Sequence, residues 1–206
     1  MSILVSIVDF TYWYFHPVIG FIFIAGFLLY WFKRKKIPSE KILKTAIFIL
    51  LGILIIKVLF LSIAHWLIWS HDPLTIRMLP PITSITYFLF RIWRLCFMEL
   101  TLNIGLALLA WLGVFFLNKK GNSRFFYEEE KWLIVLGILV NSWPASLIFV
   151  CLVLMFGLIT HIIKTIFIKD KESRLSFLYF WLPIALLTLC INAIIIQYTP
   201  FKNLLI

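Results

Sequence analysis

The chain carries carboxylates at two points where long apolar runs meet polar breaks. One is Asp72, which follows the run at about 42–69. The other is Glu128-Glu129-Glu130, just before an apolar stretch that begins at Trp132. Two carboxyls brought into near contact share a proton, so one can act as general base on water and the other as general acid. That chemistry cleaves a peptide bond without a metal or a covalent nucleophile. The same residues also suit plainer work, Asp72 as a loop cap and the Glu triplet as a solvated turn balancing nearby lysines. Five further ionisable residues, Lys57, His65, Arg91, Arg94 and His161, fall inside apolar runs, and an ionisable group in lipid is a functional candidate. Each has a structural alternative: Lys57 can snorkel, the histidines can bond backbone carbonyls, and Arg91 and Arg94 share a helical face. With Glu99, which can pair only if the helix end bends, the two arginines look like internal glue.

Other chemistries find no support. The sequence has no phosphate-binding glycine loop, no G-x-S-x-G, no H-E-x-x-H and no metal-spaced His/Cys cluster. No cofactor is expected. Cys96, Cys151 and Cys190 lie far apart in apolar segments, which predicts buried free thiols.

The elements that must position these residues belong to lipid. Of the 206 residues 63% are hydrophobic and only 14% charged, against about 25% charged in a soluble domain. A chain this short cannot bury so much apolar surface in water. The net charge of +10 would suggest nucleic acid in a soluble protein. Here the basic residues gather at the ends of apolar runs, where they meet headgroups, and no nucleic-acid partner is expected. The expected fold is all-α, a single integral membrane domain over 1–206 with about six to seven membrane helices.

The runs predict spans near 18–32, 42–69, 82–98, 101–117, 145–167 and 175–197. Residues 1–17 are aromatic-rich, and Tyr12 to Phe15 suit a membrane interface. Ser39 is a candidate helix cap, and residues 118–131 are an extramembrane loop. The stretch from Lys131 to Lys164 would reach about 51 Å as one helix, too long for a hydrocarbon core of about 30 Å. Asn141-Ser142-Trp143-Pro144 is the natural break, leaving a short helix at 132–140. The N-terminus shows neither a basic n-region nor an A-x-A-like site, so no removable signal peptide is expected.

The order of these features resembles the membrane core of the prepilin peptidases, the type IV leader peptidases with a G-x-G-D motif. That family has a first Asp after a long apolar helix, followed by I-P or L-P; here Asp72 precedes Leu79-Pro80. Its second Asp lies in G-x-G-D-V-K-L, with a glycine six residues after the lysine. Tyr127-Glu128-Glu129-Glu130-Lys131-Trp132-Leu133 with Gly137 is similar, and sets Glu129 on the Asp position and Glu128 on the preceding glycine. Asn141-Ser142-Trp143-Pro144 and Gly157 look like the later G-W-P and glycine, Ser176–Phe180 resembles the closing P-F-G-P-F, and His16-Pro17-Val18-Ile19 the opening P-L-V-E. The hallmark glycine is replaced, and Glu stands in for the second Asp.

The resemblance implies an intramembrane aspartic endopeptidase in a prokaryotic inner membrane, with Asp72 and Glu129 as its catalytic pair. Its partners would be the bilayer and the leader of a pilin-like precursor. It also implies that the Asp72 loop, residues 118–131 and residues 169–174 share the cytoplasmic side. The competing reading is a non-catalytic polytopic membrane protein: a degenerate family member, an assembly partner or a small transporter. The distance between Asp72 and Glu129 separates the two.

Overall fold

The computed structural model describes residues 2–34, 39–120, 126–163 and 178–198, and among these every regular element is helical. Helix α1 (Ser2–Trp13) runs into α2 (Phe15–Arg34) through a single turn residue, Tyr14, and the i→i−4 bonds continue across it. α3 (Glu40–His71) is one unbroken helix of 32 residues, about 48 Å long. Ser39 occupies its N-cap position without a side-chain cap bond, and offers only its carbonyl to Leu43 N–H. A 3₁₀ turn (Ile76–Met78) fills the predicted break.

The expected boundary between runs 82–98 and 101–117 does not exist. α4 (Ile85–Ile92), a π turn (Trp93–Phe97) and α5 (Met98–Lys120) form one continuous helix. Ser84 caps its start by accepting from Tyr87 N–H. The chain takes the extra residue of a π turn just before Glu99 and stays helical through it, and Glu99 finds its partners on other helices.

The break at 141–144 stands as predicted, with α6 (Glu130–Val140) before it and α7 (Ala145–Ile163) after it. Phe149 of α7 packs on Gly137 of α6, residues that would lie about 18 Å apart along one straight helix. The two helices therefore fold back as an antiparallel hairpin. α8 (Leu178–Tyr198) carries Pro183 within it.

α6 is the central element and touches α2, α3, α5, α7 and α8. Its sequence WLIVLGILV is apolar all round, as a fully enclosed helix must be, and residues 136–140 are all buried. The larger core gathers around it from α2, the first half of α3, α5, α7 and α8. A second core joins α1 (Val8) to the later part of α3 (Val58, Leu61, Ala64) and Cys96, with Trp69, Leu79 and Ile92 in a third cluster beyond.

The outer surface is greasy: Phe48 is 73% exposed and Leu109 69%. α2, α3 and the Ile85–Lys120 helix are each long and apolar enough to cross a membrane. The thiols are free as expected, but only Cys96 is buried; Cys151 and Cys190 lie on the exposed apolar surface. Tyr12 is half-buried. Its hydroxyl donates to the Leu95 carbonyl at 2.6 Å, inside the helix packing.

Candidate functional site: a buried polar centre at the end of α6

Asp72 and Glu129 are not brought together. Asp72 ends α3, where its carboxylate accepts from Leu74 N–H and Thr75 Oγ1 in a loop-capping turn. Glu129 begins α6, and three residues on, Trp132 Nε1 donates to Glu40 Oε1 at 3.0 Å, at the opposite end of α3. With α3 about 48 Å long, the two carboxyls stand on the order of 30 Å or more apart. The expectation that the Asp72 loop and the segment before α6 share one side is corrected for the same reason. Glu128 pairs with Lys131. Glu130 is wholly buried and accepts from Tyr127 N–H. The Glu triplet thus forms the turn into α6, with Glu129 at its N-cap and Glu130 in its first turn.

The residues that do converge are three. Lys57 of α3 places Nζ 3.6 Å from Glu99 Oε2, and His16 of α2 places Nδ1 3.2 Å from Glu99 Oε1. The other ring nitrogen, His16 Nε2, lies 3.0 Å from the Leu139 carbonyl of α6. The side chains of His16 and Lys57 are each 5% exposed and that of Glu99 33%. With Leu54, Val58, Cys96 and Leu100 they line a small cleft of about 10 Å³, room for about one water molecule. Leu54 belongs to the larger core and Val58 to the second, and Leu100 packs against both. The triad therefore sits at their junction. The levels agree: Trp132 lies tilted against Trp111 and under Lys44, and Glu99 and Lys57 lie about 18–20 Å further along their helices.

A helix end must satisfy its last carbonyls, and α6 ends buried. Asn141 Nδ2 donates to Gly137 O, His16 Nε2 faces Leu139 O, and Asn103 Nδ2 donates to Asn141 O. Ser146 Oγ donates to Asn103 Oδ1 at 2.6 Å, and Asn192 Nδ2 to Ser142 Oγ at 2.6 Å. Five elements thus meet in polar contact around one helix terminus. Asn103 lies one turn beyond Glu99 on α5, which joins the charged triad to the amide network.

Of the residues flagged from sequence, Lys57 is buried and paired rather than snorkelling. Arg91 and Arg94 do not pair with Glu99: Arg94 is exposed, and Arg91 Nε is buried without a partner among the described residues. His65 leans on Trp69 with Nε2 likewise unpartnered. The His161 side chain, and residues 164–177, lie outside the described residues. His16 and Asn103 were not singled out. The available signal was Lys57 and Glu99, two opposite charges in apolar runs that each needed a partner. Among the described residues no group of three or more His, Cys, Asp or Glu could hold a metal ion.

Replacing Asn103 by Leu removes both its bonds and strands the Asn141 carbonyl. The expected loss is about 1–3 kcal/mol of stability, read from denaturant unfolding in micelles. Adding Ser146→Ala should cost little more, because its bond is already gone; full additivity would show that the two do not act together.

Comparison with protein-family models, curated proteins and solved structures gives no match to this chain.

Proposed function

We propose that the chain is a non-catalytic polytopic membrane protein of prepilin-peptidase-like design, which works by association within the membrane rather than by cleavage. The separation of Asp72 and Glu129 along α3 carries this reading, since a shared-proton dyad needs near contact. In this reading the chain is a single integral membrane domain of six to seven membrane helices in a prokaryotic inner membrane. Trp111, Trp132 and Lys44 mark one border, and the His16–Lys57–Glu99 triad holds the interior.

The test is co-expression with a leader-bearing pilin precursor in a host lacking its own leader peptidase. The precursor should stay uncut with the wild-type chain and with Asp72→Asn alike. Cleavage that disappears with Asp72→Asn or Glu129→Gln would overturn the proposal and restore the aspartic endopeptidase.

A further inference from the structure

The geometry points to a proton-binding site inside the helix bundle, in which His16, held between Glu99 and the end of α6, shares one extra proton with the Glu99 carboxyl. The argument is a count of donors and acceptors. His16 Nε2 faces the Leu139 carbonyl, which can only accept, so Nε2 carries a hydrogen. His16 Nδ1 faces Glu99 Oε1 at 3.2 Å. A neutral ring with its hydrogen on Nε2 would turn a bare lone pair towards a carboxylate oxygen, two acceptors with nothing between them. One more proton resolves this, on Nδ1 as an imidazolium or on Oε1 as a carboxylic acid.

The surroundings place it on the ring. Leu139 lies in the last turn of α6, where the helix dipole presents its negative end and favours a cation. On its other side, Glu99 Oε2 already faces Lys57 Nζ at 3.6 Å. The remaining titratable neighbours are Tyr12 and Cys96. Tyr12 of α1 spends its hydroxyl hydrogen on the Leu95 carbonyl. Cys96 of the π turn lines the same cleft as a free thiol. α6 contributes its carbonyl and the apolar side chains of Leu139 and Val140. The ligand is thus a single proton, exchanging through the small cleft beside Glu99.

Two helix irregularities flank the site: the Tyr14 turn just before His16 and the π turn just before Glu99. π turns recur at functional sites. The bound proton therefore sits where α1 meets α2 and α4 meets α5, at the junction of the larger and second cores.

Ring-nitrogen NMR on histidine-labelled full-length protein in lipid nanodiscs tests this directly, with His16→Gln assigning the His16 signals. At neutral pH both His16 nitrogens should carry hydrogen in the wild-type chain. In Glu99→Gln the ring should become neutral, with hydrogen on Nε2 alone. Infrared difference spectra between wild type and Glu99→Gln supply the second readout. A neutral ring accompanied by a protonated Glu99 carboxyl band keeps the proton in the same pair and supports the site. A neutral His16 beside an ionised Glu99 would overturn it, and this wild-type result decides even where the variant fails to fold.

Discussion

Replacing Glu99 by Leu should cost about 3–5 kcal/mol of stability, because it leaves Lys57 as an uncompensated cation in a medium of low dielectric and takes away the oxygen that faces His16 Nδ1. Both side chains are enclosed and cannot turn out to water. The loss should not be a packing effect, since Leu fills much of the same volume. Lys57→Met in the same chain should therefore recover most of it, as buried ion pairs are often replaceable by well-packed apolar side chains. Lys57→Met alone should hurt less than Glu99→Leu, because the carboxylate keeps His16. Equilibrium unfolding in mixed micelles reads all four chains. A loss below about 1 kcal/mol for Glu99→Leu would mean that the pair is solvated and that the triad is not a buried centre.

How far the sequence could be read depends on the kind of signal each element carries. The length limit on apolar helices located the break at 141–144, and Pro and Asp located the one after His71; both are local, and both stand in the structure. Glu99 misled because a lone carboxylate in an apolar run looks like a border. Its true role depends on Lys57 and His16, 42 and 83 positions away in the chain, and no spacing rule connects them. Asp72 and Glu129 misled for the opposite reason. Order along the chain suggested a shared border, but order does not say which end of α3 each residue reaches, and a single contact, Trp132 to Glu40, decides it. The fold-back of α7 on α6 was equally invisible, since it rests on Phe149 fitting over the bare Cα of Gly137.

The same close packing gives the last large effect, at Gly20. A β-carbon there would stand 2.7 Å from the Val140 carbonyl oxygen, 3.0 Å from Val140 Cγ1 and 3.2 Å from Leu189 Cδ1. The nearest of these is backbone and cannot swing aside, so α2 must back away from the end of α6. Gly20 is one turn after His16 on α2, so the same displacement should pull His16 Nε2 off the Leu139 carbonyl. Gly20→Ala should therefore destabilise by about 1–3 kcal/mol through overpacking, and Gly20→Val by more. Gly26, Gly52, Gly105 and Gly113 are also helical but have nothing within 4 Å of an added β-carbon. Alanine at those four positions should be neutral or stabilising by up to about 1 kcal/mol, from helix propensity alone. Unfolding of the five single variants tests the contrast, with a change of sign at Gly20 only. An equal gain at Gly20 would mean that α2 and α6 do not approach as closely as described, and that the contact orienting His16 is absent.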